Sequence, residues 1–349
     1  MSQSAELLST DWPGKAEETR SSTEVFSRLP RPAAKSEDIV RTAGCIYCAR
    51  LSMPRALGRL WLGLVLATIA SWPTVLPANA SRAGIGALAN TPIRSMYVRA
   101  PHGAAAGKPL QVLLALHGMG GNGEDFARDL TEQADQHGWL LVAPTIQYAD
   151  WTNPNVVARE EPVLIRALSD YLDQLPEIFG LQTRRLILVL GHSRGAQLAH
   201  RFAEFRPDRV LAVAALGAGA YTLPQTSGPQ GSFSFPFGLK DLSVYAGHTF
   251  DQTRFAGVAF WVGVGSQDTN PADLPRQWDA IEGTTRVARA QAFETAMQRL
   301  GANVVLREFG NARHEVTREM RMAACEFLEH VRPVDTSHVI SASDQPVAY

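Results

Sequence analysis

Seven apolar runs of five to eight residues recur between residues 93 and 309, and helical spacing fills most of the intervals between them. The first, Ile93-Arg-Ser-Met-Tyr-Val98, alternates polar with apolar and reads as an edge strand, because a half-solvated strand shows period two. The others lie near Leu110–Leu116, Trp139–Ala143, Leu186–Leu190, Val210–Leu216, Val258–Gly265 and Asn303–Phe309, and most are apolar without interruption. Strands covered on both faces carry that pattern. Gly195, Leu198, Ala199, Phe202 and Ala203 fall on one helix face, and a second helical stretch runs from Arg286 to Leu300 and stops at Gly301. A last helix follows the loop after Phe309. Strands alternating with helices predict an α/β domain, with a mostly parallel sheet and helices on both faces.

One interval breaks the rhythm. Residues 221–257 are rich in Gly, Ser and Pro at first, then carry Phe233, Phe235, Phe237, Tyr245 and Phe250. An excursion of this length reads as lid-like, with Phe235 as a candidate wall of a substrate site. A surface loop stapled down by its aromatics fits the same residues. Asp150-Trp151 follows the end of a strand, and Trp151 is a second candidate substrate contact.

The chemistry concentrates where Leu186–Leu190 runs into Gly191-His-Ser193-Arg-Gly195 and then into a helix. A strand, a sharp turn and a helix meeting at a serine hold its hydroxyl out from the sheet edge, beside the free N–H groups of the helix start. A serine needs a base, and the base needs an orienting acid. On this scaffold the chain order is Ser, Asp or Glu, then His. Asp268 follows the Val258–Gly265 strand, and His314 follows the Asn303–Phe309 strand. Asp273 is the nearest rival acid, and Asp251, which precedes its strand, is a weaker one. Upstream, Leu110–Leu116 runs into His117-Gly-Met-Gly-Gly-Asn-Gly123. Such a loop brings backbone N–H groups to a developing oxyanion, here those of Met119 and Arg194. The glycine spacing does not match a dinucleotide-binding loop.

With these pieces in place, the chain from about Pro92 to Val331 resembles the α/β-hydrolases. The Leu-His-Gly-Met-Gly-Gly-Asn loop and the Gly-His-Ser-Arg-Gly elbow resemble polyhydroxybutyrate-depolymerase-like and feruloyl-esterase-like carboxylesterases. Those relatives often carry cysteine where this chain has Met119, a position that contributes only its backbone. The resemblance implies the α/β-hydrolase fold, a Ser193-Asp268-His314 triad, a small-molecule or polymeric ester substrate, and no metal or organic cofactor. A peptidase, thioesterase or acyltransferase would keep the same triad, and a non-catalytic binding protein could keep the same scaffold.

The 349 residues suffice for one large domain, expected over 81–331, with tails on either side. A net charge of −1 and the lack of a basic stripe point away from nucleic acid. Cys45-Ile-Tyr-Cys48 has no strand–helix context for redox chemistry, and Cys325 sits in an apolar helical pattern that predicts a buried thiol. Residues 1–52 are polar, mixed in charge, and read as a disordered leader; a start at Met53 would leave them untranslated. From there a basic start, the apolar run Leu60–Trp72 and Ala78-Asn-Ala80 form a signal peptide over 53–80. Cleavage would leave a secreted or periplasmic protein with no membrane span, and an uncleaved segment would tether it. Residues 332–349 read as a disordered tail.

Overall fold

A computed structural model describes residues 88–105 and 107–332. The expected leader, signal peptide and tail lie outside the described residues. The strands are β1 (Ile93–Arg99), β2 (Gln111–Leu116), β3 (Trp139–Ile146), β4 (Ile187–His192), β5 (Val210–Leu216), the two-residue β6 (Ser227–Gly228) and β7 (Gly231–Ser232), β8 (Ala259–Gly265) and β9 (Val304–Phe309). The helices are α1 (Gly123–Arg128), α2 (Thr131–His137), α3 (Pro154–Phe179), α4 (Arg194–Phe205), α5 (Leu242–Ala246), α6 (Gln252–Ala256), α7 (Asp279–Glu282), α8 (Arg286–Leu300) and α9 (Arg318–His330). Each of the seven expected strands is present, with ends shifted by a few residues at most.

The main sheet runs β1-β3-β2-β4-β5-β8-β9, with β1 antiparallel to β3 and all other neighbours parallel. Every residue of β2, β5 and β8 is buried, which explains their unbroken apolar sequences. The side chains of β2 divide by parity. Val112, Leu114 and Leu116 join the apolar cluster that includes α3, α4 and α8, while Leu113 and Ala115 join the one that includes α2 and α9. That is period two expressed as two cores. From β2 the chain crosses to β3 on one side, then returns to β4 on the other. The order therefore reverses between β2 and β4, and ligands in open α/β sheets bind outside the strand ends at such a point. His117 and Ser193 follow those two ends.

Two features depart from expectation. All twelve residues of α4 are buried, although its sequence has only one apolar face. The second face is covered by α3 and by the start of the excursion, where Thr222 takes a hydrogen bond from Arg201 and its N–H donates to His200 Nε2. In the excursion, Phe233, Phe235 and Phe237 pack inward rather than over the strand ends. Phe233 and Phe235 are buried in the cluster with α3 and α4, Phe235 packs on Phe205 and Tyr245 at 5.3 and 5.1 Å, and Phe237 packs on Trp278 at 4.5 Å. Aromatic content marked the segment as important without saying which way its rings point. Among the described residues, no helix is long and apolar enough to cross a membrane.

Candidate active site

Ser193 stands between β4 and α4 at φ 54°, ψ −116°, a left-handed strained conformation for a side-chain-bearing residue. Its N–H donates to Leu216 O of β5 at 2.8 Å, and its carbonyl accepts from Ala196 and Gln197, so the strain is held from both sides. Two residues on, a Cβ at Gly195 would collide with the Leu116 and His117 carbonyls. Only glycine lets the start of α4 lie against the end of β2.

Three strand ends then converge. Ser193 Oγ lies 2.9 Å from His314 Nε2, and His314 Nδ1 lies 2.7 Å from Asp268 Oδ2. An ionised Asp268 can only accept, so Nδ1 carries the proton and Nε2 accepts from the serine hydroxyl. The loops bearing Asp268 and His314 are joined by Ser266 N–H to Phe309 O and Gln267 N–H to Ala312 O, both 2.9 Å. Asp268 is buried, while a third of the His314 side chain stays exposed. Burial pushes the Asp268 carboxyl up, but the His314 hydrogen bond and the Arg286 charge outweigh it and hold the group below its ordinary value. The rival acids have other tasks: Asp273 accepts from the Asn270 amide at 3.0 Å, and Asp251 caps α6 by accepting from Arg254 N–H at 2.9 Å.

The glycine loop meets this group from β2. Gly121 N–H donates to Gly118 O at 3.1 Å, and Gly120 at φ 73° supplies the left-handed corner of that turn. Met119, 44% exposed, stands at the turn's tip over the cleft. His117 anchors the loop. Its Nε2 accepts from Ile146 N–H at 2.9 Å, and its Nδ1 donates to Gly118 O at 2.6 Å. Burial lowers the proton affinity of this imidazole, as both bonds to a neutral ring require.

Arg194 shows what sequence reasoning missed. Its backbone N–H opens α4 beside Ser193, where helix donors have no intrahelical partner. Its side chain is buried, pairs with Glu160 at 2.9 Å and with Glu161, and lies 5.0 Å from the Tyr148 ring centre. Arg201 reaches Glu161 at 2.8 Å from two turns further along α4. The signal was available: two adjacent glutamates inside an otherwise apolar-faced helix, and two arginines seven apart in α4. His192 was missed as well. Its ring lies 5.1 Å from that of His314, and burial, with His314 and Arg286 adding to it, pushes it down to about 3.

An open cleft of about 790 Å³ lies over Ser193 and His314, bordered by Met119, Phe126, Trp151 and Leu274. Trp151 thus lies where the sequence placed it, seated on the backbone of Gly219. Phe235 does not border the cleft, being 4% exposed in the core. Among the described residues, no group of three or more His, Cys, Asp or Glu is gathered as a metal site.

No family model and no curated protein matches the sequence. Solved structures do match. A poly(aspartic acid) hydrolase from Sphingomonas sp. KT-1 aligns at 22% identity over 67% of this chain and 92% of its own, with a TM-score of 0.53. This chain has the α/β-hydrolase fold. A poly(3-hydroxybutyrate) depolymerase from Bordetella parapertussis aligns on the same α/β-hydrolase fold at 23% identity, over 69% of this chain and 85% of its own, with a TM-score of 0.51.

Proposed function

We propose that the chain hydrolyses carboxylic esters through an acyl-enzyme on Ser193. The observation that carries this reading is the unbroken hydrogen-bond path from Ser193 Oγ through both imidazole nitrogens to Asp268, at a strained elbow under an open cleft. His314 takes the hydroxyl proton as Oγ attacks the ester carbonyl. Asp268 holds the imidazole in the required tautomer and stabilises the imidazolium. The oxyanion is received by the N–H groups of Met119 and Arg194, and His314 then returns its proton to the departing alcohol. Water, activated by the same His314, releases the acid and frees Ser193.

The two neighbours act on different bonds, and the charge of the cleft favours the ester side for this chain. Asp125, Asp129 and Asp273 border it, while its one lysine or arginine, Arg286, is engaged by Asp268. Two of those carboxylates sit in pairs with Arg128 and Arg321 that solvent weakens. A polyanion would meet like charge there, whereas an uncharged ester would not. We further propose export to the periplasm or beyond, supported by the basic start after Met53, the apolar Leu60–Trp72 run and Ala78-Asn-Ala80.

The test is a fluorophosphonate probe with mass mapping of the label, beside aryl esters of graded chain length, a hydroxyalkanoate polymer and poly(aspartic acid). Rapid labelling of Ser193 and turnover of the esters are expected. An unlabelled Ser193 would overturn the hydrolase reading, and turnover of poly(aspartic acid) alone would move it to amides.

A further inference from the structure

Granting the ester-hydrolase reading, on which this inference rests, we propose that Arg286 is a positioning residue for the reaction, holding the Asp268 carboxylate so that a single oxygen faces His314. Arg286 Nη1 donates to Asp268 Oδ1 at 3.0 Å, while Asp268 Oδ2 takes the His314 proton donor at 2.7 Å. The two oxygens are thus divided between two partners, and the plane of the carboxylate is fixed. Arg286 Nη2 also reaches the Asp273 carbonyl at 3.4 Å, which ties the guanidinium to the loop that carries Asp268. Both side chains are only 3% exposed, yet Arg286 reaches the wall of the cleft.

Its position argues that the bond to Asp268 is the reason for the residue. Arg286 is the first residue of α8, after the capping Thr285, and that first turn holds no acidic residue. A cation there faces the positive end of the helix dipole, which is unfavourable. Burying a guanidinium adds a desolvation cost that is offset only by a well-formed partner. Arginine is thus poorly suited to the helix and well suited to the carboxylate. It also supplies a counter-charge that keeps a buried Asp268 ionised, as an acceptor for His314 must be.

Arg286→Met tests this together with Arg286→Lys, each alone and in an Asp268→Asn background. Arg286→Met is expected to lower kcat about 10- to 100-fold, the scale of a small misplacement of a reacting group, with KM within about twofold. Arg286→Lys keeps a donor and a charge, and should recover most of that loss. With Asp268→Asn already present, Arg286→Met should cost less than about threefold more, because coupled residues are non-additive. Equal losses in both backgrounds, or a loss carried by KM, would overturn the positioning role. If the methionine variant does not fold, Arg286→Gln in the two backgrounds makes the same comparison: a loss confined to the Asp268 background supports the role, and equal losses in both overturn it. Probe labelling of wild-type Ser193 separates the two claims. Its absence refutes the hydrolase reading, whereas labelled wild type with an unimpaired Arg286→Met refutes only the role of Arg286.

Discussion

On one face of the sheet, α2 and α9 bury Ala134, Met320, Ala324, Cys325 and Leu328 against the strands, an interior of hydrocarbon and sulfur. On the other face, α4 buries Arg194, Arg201, His200 and Glu204, and α3 answers with Glu160 and Glu161. The difference follows from what each face must hold. Apolar contacts are non-directional and accept substitution of similar volume. Ion pairs with hydrogen-bond geometry fix direction, and here they fix the start of α4, the turn after Ser193. Glu160 extends that hold to Ala149, just before Trp151, through a 2.7 Å bond from the Ala149 N–H.

The largest effect expected is on catalysis alone. Ser193→Ala should reduce ester turnover by about 10⁴-fold or more, and His314→Ala by a similar factor, because the members act as a unit. Melting temperatures should stay near wild type, and a large fall would tie the strained elbow to stability instead.

Next in size is Glu161→Ala on the charged face. It removes the carboxylate paired with buried Arg201 and one of the two paired with buried Arg194, and removing one partner of a buried pair costs about 3–5 kcal/mol. Urea melts should show that loss, and kcat should fall with it because Arg194 is left with Glu160 as its one carboxylate anchor. On the dry face, Leu328→Ala should cost about 2–5 kcal/mol through cavity formation and leave kcat unchanged. If the two variants lose stability alike and neither changes kcat, the contrast between the faces is broken.

The smallest effect sharpens the contrast. Burial raises the Glu204 carboxyl well above its ordinary value, despite the opposing Arg201 charge. A group raised on folding contributes stability below its unfolded pKa and loses it as pH rises toward the folded value. Glu204→Gln should therefore match wild type near pH 4 and melt a few degrees higher at pH 8. Parallel melting curves across pH check this, and a Glu204→Gln that is less stable at pH 8 would mean that the carboxylate is ionised and paired.

The site was legible where chemistry is tied to strand ends. Ser193, Asp268 and His314 each follow an apolar run, and a parallel sheet brings such ends to one edge. Arg194 was legible only in its backbone, because pattern shows that a residue follows the elbow but not where a long side chain goes. Glu160 and Glu161 stood out in an otherwise apolar-faced helix, but their partners lie on α4, more than thirty residues away in the chain. The same limit misplaced Phe235. Burial of an aromatic is a property of its neighbours, and the excursion's neighbours are supplied by α3 and α4. Arg286 read as the first residue of a helix, and its bond to Asp268 joins positions 18 apart across the segment that carries α7.

The separation of Ser193 from His314 sets a timetable for synthesis. The two residues lie 121 positions apart, and the loop bearing His314 leaves β9, an outer strand of the main sheet. A growing chain that has completed the elbow still has more than a hundred residues to emerge before its serine can meet an imidazole. Contacts of such long range form late in folding. On the proposed mechanism the serine is therefore unarmed until β9 docks and brings His314 to it.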